Sequence, residues 1–215
     1  MKWSLFLLID YLFLDENTCT FCQNEYIYKY GLCRDCYDRL DYVDNKFLIG
    51  DYECYSIYFY DEFFKKLIGL YKFERRTEFS RIFAKIIYDY GIKKNLFDVD
   101  YILPSPSSRG TLINRGFDHI RMITDDFIDK IKPSYLDDFI KIKDTKAQHD
   151  LGKEDRSKNL IGAFRLDKDL SGKSVLIIDD LVTTGNTSLE MIKVLEKANV
   201  KEVKILALAS ERRVL

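Results

Sequence analysis

The residues best suited to chemistry lie in one run near the end of the chain, between Val175 and Ser188. Four apolar residues predict a buried strand, and two adjacent carboxylates, Asp179 and Asp180, follow it directly. A polar loop then leads into a helix; it contains Thr183, Thr184, Gly185, Asn186 and Thr187. Ligands of open α/β sheets bind beyond the carboxyl ends of the strands. This position therefore favours a binding site.

Each part of this run has a chemical use. Hydroxyls and backbone N–H groups at a helix N-terminus form a cradle for a phosphate monoester. Two carboxylates beside that cradle can accept hydrogen bonds from vicinal ribose hydroxyls and offset positive charge that develops on the sugar. The alternative is a plain strand followed by a capped helix, in which Asp179 and Asp180 are ordinary turn residues.

Other phosphate and hydrolase motifs are absent from the sequence. There is no G-x-x-x-x-G-K-[ST], no G-x-G-x-x-G and no G-x-S-x-G, so P-loop enzymes, dinucleotide enzymes and α/β-hydrolases lack their signatures. Only two histidines occur, His119 and His149, which disfavours a histidine metal centre. We expect surface roles for both.

Four cysteines near the start of the chain have the spacing of metal ligands. Cys19, Cys22, Cys33 and Cys36 form a C-x2-C-x10-C-x2-C pattern, and Gly31 permits the second turn. Two such turns supply four thiolates to a tetrahedral structural Zn²⁺. Disulfides or a redox dithiol are the alternatives. The fifth cysteine, Cys54, is expected to be a small buried side chain.

The elements that position these residues can be predicted from hydrophobic spacing. Val175 to Ile178 and Val203 to Leu208 are predicted strands, with Leu189 to Leu195 on a helix between them, which makes a βαβ unit in a parallel sheet. Earlier in the chain, a helix is predicted from Phe79 to a stop at Gly91, and a strand from Val99 to Leu103.

Two further elements are predicted in the middle of the chain. Phe117 to Ile131 has helical spacing, and Phe139 to Lys143 alternates like a strand. We expect two domains, a zinc-bearing module over residues 1–50 and an α/β domain over residues 51–215. Trp3 to Leu14 is apolar but too short to cross a bilayer as a helix, so it is predicted to be a packing segment or an interfacial contact.

Charge is nearly balanced overall but unevenly distributed. The 34 basic and 35 acidic residues give a net charge of −1, which gives no general indication of a polyanion partner. Residues 65–85, in contrast, carry seven cations and two acids. The cations are Lys65, Lys66, Lys72, Arg75, Arg76, Arg81 and Lys85, interleaved with Phe64, Tyr71 and Phe73. This segment predicts either phosphate contacts with base stacking or a solvated helix face.

The run around Asp179 and Asp180 resembles the phosphoribosyl-pyrophosphate (PRPP) loop of type I phosphoribosyltransferases. Nearly the whole chain resembles the ComF family of competence-associated proteins. The motifs that carry this resemblance, in order, are the apolar lead from Leu8 to Phe13, the four cysteines, Lys72 to Arg76, Leu103 to Pro106, Arg115 to Phe117, Gln148 to Leu151, Arg156 to Asn159 and Gly162 to Phe164.

The resemblance implies a parallel-sheet phosphoribosyltransferase-like domain behind a small zinc module, and it implies roles for particular residues. Asp179 and Asp180 would be the catalytic acids that bind the ribose of PRPP, the threonine loop would bind its 5′-phosphate, and Mg²⁺ would arrive with the pyrophosphate. Ser107, Arg109 and Arg115 are candidate pyrophosphate contacts. Lys153 and Arg156 lie where the family has a mobile lid, although a plain surface loop is the alternative.

The resemblance also implies partners and a location. We expect a PRPP-dependent transferase acting in natural competence, with single-stranded DNA and competence DNA-transport proteins as partners. The alternatives are a non-catalytic DNA-binding platform on the same fold, or a transferase of nucleotide metabolism unrelated to competence. A cytoplasmic location is expected, with the inner face of the membrane as an alternative, and without a transmembrane span.

Overall fold

The computed structural model describes residues 17–143 and 160–212. Several predictions fall outside these ranges: the apolar segment from Trp3 to Leu14, the loop with the lid candidates Lys153 and Arg156, and His149. Among the described helices, none is long and apolar enough to cross a membrane.

A six-stranded sheet forms the centre of the molecule. Its strands are β1 (Tyr42–Ile49), β2 (Tyr52–Phe59), β3 (Tyr101–Pro104), β4 (Ser134–Tyr135), β7 (Ser174–Val182) and β8 (Glu202–Ser210). Their order in space is β1-β2-β8-β7-β3-β4, and every pair is parallel except the β1–β2 hairpin. The predicted parallel α/β class is therefore confirmed.

The predicted βαβ unit is confirmed and is longer than the apolar runs suggested. Helix α6 (Asn186–Lys197) connects β7 to β8, which pair in parallel register. Strand β7 continues past its apolar residues, so Asp179 and Asp180 lie inside the strand and not after it. The hairpin of β1 and β2 spans residue 50; the division into residues 1–50 and 51–215 stays a prediction.

The helices on the other side of the sheet are α1 (Arg34–Asp38), α2 (Glu62–Lys72), α3 (Phe79–Lys93), α4 (Arg109–Arg115) and α5 (His119–Asp125). The prediction that Gly91 ends α3 is wrong, because the helix continues to Lys93. Glycine is needed there for space: a Cβ at Gly91 would lie 2.3 Å from the Phe97 ring. The ring packs directly on the helix backbone.

Two other predicted elements are shorter than expected. The helical spacing from Phe117 to Ile131 gives α5 and then a single 3-10 turn (Ile128–Lys130), because Asp118 caps α5 and starts it late. The strand predicted from Phe139 to Lys143 is only β5 (Ile140–Lys141), which pairs with β6 (Phe164–Arg165) in a separate two-stranded sheet.

The sheet divides the core into two clusters, one on each face. Alternate residues of β7 belong to different clusters: Leu176 and Ile178 face α2, α3 and α5, whereas Val175 and Ile177 face α6. Because side chains alternate along a strand, a strand covered on both faces must be apolar throughout. The same alternation places Asp180 toward the α2–α5 face and Asp179 toward the α6 face.

Candidate functional site

The two adjacent acids occupy different environments. Both are nearly buried, Asp179 at 8% and Asp180 at 4% exposure. The backbone N–H of Asp180 donates to Oδ1 of Asp179 over 2.9 Å. Asp179 also lines a small concavity formed with residues 181–188, at the start of α6. The two side chains therefore lie on opposite faces of the sheet, Asp179 on the α6 face and Asp180 on the α2–α5 face.

Two side chains on the α2–α5 face of the sheet contact Asp180. Lys72, the last residue of α2, forms an ion pair with its Oδ2, and Nε2 of His119 lies 3.6 Å from its Oδ1. Although burial alone would raise the pKa of Asp180, Lys72 and His119 hold it well below its usual value. Asp180 is therefore the charged member of the pair.

The pKa of Asp179 is shifted in the opposite direction. Burial and the negative charge of Asp180 raise the pKa of Asp179 far above its usual value, and Lys72 opposes this only in part. Two carboxylates at adjacent positions cannot both ionise cheaply in a buried site. Asp179 is therefore the member of the pair that takes up a proton first.

The threonine loop begins α6 with a left-handed glycine. Gly185 is the N-cap residue, with φ of +84°, and an added Cβ would lie 2.7 Å from Cγ2 of Ile49 at the end of β1. The backbone N–H of Asn186 donates to Oγ1 of Thr184 over 3.4 Å. The first turn of α6 lines the concavity, and the N-terminus of a helix is a position that binds phosphate.

A second loop reaches the same edge of the sheet. The N–H of Ser105, just after β3, donates to the carbonyl of Ile178 over 2.8 Å, which fixes the loop beside β7. Further along it, Oγ of Ser107 lies 3.3 Å from Nδ1 of His119, and the Ser107 N–H donates to Asp118. The loop after β3 is thus joined to Asp180 through His119.

The three predicted pyrophosphate residues have different placements. Ser107 lies in the network just described. Arg115 is half-buried, and its Nη1 is buried with no hydrogen-bond partner among the described residues. Burial lowers the pKa of its guanidinium, while Asp180 and Asp118 act in the opposite direction. Arg109 is exposed at the start of α4, and among the described residues no hydrogen bond or ion pair joins it to the acids.

Two site residues were missed by the sequence interpretation. The prediction of a surface role for His119 is wrong, since it is only 9% exposed and lies between Ser107 and Asp180. Lys72 was grouped with a basic segment, yet its side chain is 18% exposed and is paired with Asp180. The position of Lys72, one residue after buried Tyr71 at the end of an amphipathic helix, was the available signal.

The four cysteines form one cluster. All four sulfurs lie within 4.8 Å of one another, and those of Cys22 and Cys33 are 3.7 Å apart. A tetrahedral zinc with Zn–S bonds of about 2.3 Å requires sulfurs about 3.8 Å apart, whereas a disulfide requires about 2.05 Å. The cluster therefore fits a structural zinc site, as predicted.

Local backbone geometry supports this cluster. Gly31 has φ of +81°, as its predicted role in the second turn requires. Burial alone would raise the pKa of Cys19, but N–H groups of Cys22, Cys33 and Phe21 bring it to about 7, whereas burial raises the pKa of Cys33 and of Cys36. Thiolate is the form that binds metal, so Cys33 and Cys36 release their protons when it binds. Cys54 is fully buried elsewhere in the core, as expected.

The basic segment of residues 65–85 does not form one stacking surface. Phe64 and Tyr71 are at most 1% exposed, so the prediction that they stack on bases is wrong; Phe73 is 68% exposed. Arg76 pairs with Glu78 and donates to the carbonyl of Thr20, which docks the cysteine module. Lys72 and Arg76 of this segment therefore form contacts within the fold.

Comparisons with known proteins agree with this description. A family model described as the phosphoribosyl transferase domain matches residues 123–213. The chain is 28% identical over 200 residues to competence protein F of Haemophilus influenzae, covering 89% of this chain and 83% of that protein. It is 26% identical over 153 residues to competence protein ComFC of Streptococcus pneumoniae, covering 71% and 66%.

A third relative is the DNA utilization protein YhgH of Salmonella typhimurium, 26% identical over 144 residues, with 65% of this chain and 63% of that protein covered. Among solved structures, a purine phosphoribosyltransferase from Pyrococcus horikoshii aligns at 22% identity over 61% of this chain and 75% of the other, with a TM-score of 0.35. A hypoxanthine phosphoribosyltransferase from Staphylococcus aureus aligns at 15% identity over 63% and 68%, with a TM-score of 0.37.

Sheet topology, the domain match and the cysteine cluster converge on the resemblance found in the sequence. The chain is similar to competence protein F and to ComFC, and it combines a match to the phosphoribosyl transferase domain with a four-cysteine cluster that fits a zinc module.

Proposed function

We propose that this protein binds PRPP with Mg²⁺ at the carboxyl end of β7. The observation that carries the proposal is the buried acid pair, Asp179 and Asp180, followed within five residues by the left-handed Gly185 and the N-terminus of α6. No other part of the described chain combines sugar-binding carboxylates with a phosphate cradle.

The site assigns each portion of the ligand to different groups. The 5′-phosphate lies on the loop of residues 183–187, and Asp179, which lines the same concavity, accepts a hydrogen bond from the first ribose hydroxyl. Asp180 accepts from the second hydroxyl as Lys72 turns from the carboxylate toward the pyrophosphate. Arg115, whose Nη1 has no partner among the described residues, gives a second cation on that side.

The reaction is displacement of pyrophosphate from the anomeric carbon. The bond from that carbon to the pyrophosphate oxygen breaks, and its electron pair leaves with the pyrophosphate. An acceptor's lone pair then forms the new bond. Mg²⁺, when bound, neutralises charge on the departing pyrophosphate. Asp179 and Asp180 stabilise the positive charge that develops on the ribose, and no general base within the pair is needed.

Thermal unfolding tests the ligand assignment. PRPP with Mg²⁺ should raise the Tm of the wild type, because a ligand that binds only the folded state stabilises it by mass action. The rise should disappear in Asp179→Asn/Asp180→Asn and persist in the exposed control Asp167→Asn. No rise in the wild type, or an equal rise in the double variant, contradicts the assignment.

We also propose that the four cysteines hold one structural zinc ion. All four ligand positions are supplied by the chain, so the ion has no open position for chemistry. Its role is to fix the module against α2 and α3, where Phe21 meets Phe63 edge-on at 5.1 Å and Tyr30 donates to Asp89 over 2.8 Å. Metal analysis should find about one zinc per chain.

A second candidate function, handling of incoming single-stranded DNA, is supported by the names of the relatives, which include DNA utilization proteins. Lys66 and Arg75 are the exposed cations of residues 65–76 that have no acidic partner among the described residues. Affinity for a single strand should fall less steeply with salt in Lys66→Ala/Arg75→Ala. An unchanged slope removes these two residues from DNA binding.

A further inference from the structure

A second concavity lies away from the acid pair, between α3 and the turn that follows α5. Its volume is about 190 Å³, smaller than the roughly 300 to 1,000 Å³ of sites that enclose a small molecule, so it holds only part of a ligand. Three cations line it: Arg81 and Lys85 from α3, and Lys130 from the 3-10 turn. Its apolar lining comes from Tyr88 and Phe127.

These three cations lack the acidic partners that several other surface cations have. Lys65 pairs with Glu62, Arg121 with Asp125, and Lys193 with Glu190. In contrast, no ion pair or side-chain hydrogen bond joins Arg81, Lys85 or Lys130 to any residue in the described ranges.

Like charges four residues apart destabilise a helix, and Arg81 and Lys85 have this spacing on α3. The third cation, Lys130, is brought beside them by a different element of the fold. Asp126 also lines the concavity, yet it forms no ion pair with the three cations. The residues that line the cavity therefore carry three cations and one acid, a net charge of +2.

The apolar lining is part of an aromatic cluster. The Tyr88 and Phe97 rings stack with centroids 6.3 Å apart, and the Tyr88 and Phe127 rings are 6.0 Å apart. Phe127 is only 3% exposed, so it packs behind Tyr88, which is the partly exposed ring of the cluster. A flat ring can pack against Tyr88 while an attached phosphate contacts the cations.

We propose that this concavity binds one nucleoside monophosphate unit, with its base against the Tyr88 ring and its phosphate on Arg81, Lys85 and Lys130. The unit is either a free nucleotide or one residue of a single strand. The site is distinct from the PRPP site: it lies past the end of α5, whereas His119 begins that helix, about 10 Å away along its axis at 1.5 Å per residue.

Titration calorimetry of the full chain with adenosine 5′-monophosphate tests this proposal. We expect saturable binding that weakens at least tenfold in Arg81→Gln/Lys85→Gln. These residues are exposed, so the fold should be retained, which the Tm checks. The matched control Lys65→Gln/Lys193→Gln removes two cations that have acidic partners and should leave the affinity unchanged. Adenosine or inorganic phosphate alone should bind at least tenfold more weakly.

Three further outcomes decide the proposal. Binding that survives Asp179→Asn/Asp180→Asn supports a second site, even if PRPP binding fails. Binding that is lost in that variant but unchanged in Arg81→Gln/Lys85→Gln overturns the proposal, because the nucleotide then lies on the acid pair. No saturable binding also overturns it.

A competition experiment distinguishes the two sources of the nucleotide. A 5′-phosphorylated oligothymidylate of about 12 nucleotides that competes with the mononucleotide identifies a strand as the source. Lack of competition identifies a free nucleotide.

Discussion

The cysteine cluster and the acid pair are both groups of buried ionisable side chains, but they balance charge in different ways. No cationic side chain contacts the four sulfurs among the described residues, and all four converge on one point. Asp180, in contrast, has Lys72 as a cation built into the fold, and Asp179 retains a proton. The first group needs an ion from outside, whereas the second is stable without one.

This difference in charge balance predicts different roles: the cysteine cluster stabilises the fold, and the acid pair exchanges its internal partner for a ligand. A closed set of thiolates gains stability from a resident metal and loses it when the metal leaves. An internal ion pair between two elements can open and offer both partners to a ligand. We therefore expect changes at the cysteines to act mainly on folding, and changes at the acid pair to act on folding and on ligand binding together.

Replacing a cysteine of the cluster should have the largest effect. Cys36→Ser removes one ligand from a site that packs in the main core with Leu32 and Leu40, so the free energy of unfolding should fall by on the order of 3 kcal/mol or more. Chemical denaturation and metal analysis of the purified variant measure both losses. The matched control is Cys54→Ser, which changes a buried thiol outside the cluster and should retain the metal. Equal metal content and stability in Cys36→Ser would contradict the zinc proposal.

Replacing the cation of the acid pair should come next. Lys72→Met leaves Asp180 buried without a counter-charge, which should cost about 3 kcal/mol at neutral pH. Adding Asp180→Asn should recover most of the lost free energy of unfolding, because the uncompensated charge is then gone. Lys65→Met, which breaks an exposed pair, should cost less than about 0.5 kcal/mol. If the double variant is no more stable than Lys72→Met, the ion pair does not explain the cost.

The glycine of the phosphate loop should have a smaller effect on stability. Gly185→Ala introduces a Cβ at positive φ and against Ile49, so we expect a loss of about 2 kcal/mol together with weaker PRPP binding. Gly69 lies inside α2 with open space around its Cα. Gly69→Ala should instead raise stability by about 0.5 to 1 kcal/mol. Denaturation of both variants compares them; a neutral Gly185→Ala would mean that Ile49 moves aside.

The smallest predicted effect, taken per pH unit, is on the pH dependence of stability. The raised pKa of Asp179 means that the folded state keeps this proton at a pH where the unfolded chain has lost it. The contribution of Asp179 therefore falls as pH rises above about 4, by about 1.4 kcal/mol per pH unit. Denaturation of the wild type and of Asp179→Asn at pH 5, 6 and 7 should show the free energy of unfolding of the wild type falling, relative to that of the variant, as the pH rises. A constant difference would mean that Asp179 titrates normally.

The sequence predicted those parts of the site that are contiguous in the chain. The strand, the acids, the loop and the helix from Val175 onward are determined by local patterns of apolar and polar residues, and so are the two C-x2-C turns. Lys72 and His119 could not be predicted in the same way, because their burial depends on how α2 and α5 pack against β7. The same reason explains Gly91, whose neighbour Phe97 returns to the helix after a turn.

A crystal structure with PRPP and Mg²⁺ bound tests the central claim most directly. The account predicts ribose hydroxyls within hydrogen-bond distance, about 2.6 to 3.0 Å, of Asp179 and Asp180, and the 5′-phosphate on residues 183–187. It also predicts that Nζ of Lys72 has left Asp180 for the pyrophosphate. A bound ligand that contacts neither the acid pair nor the loop, with the Lys72–Asp180 pair intact, would contradict the account.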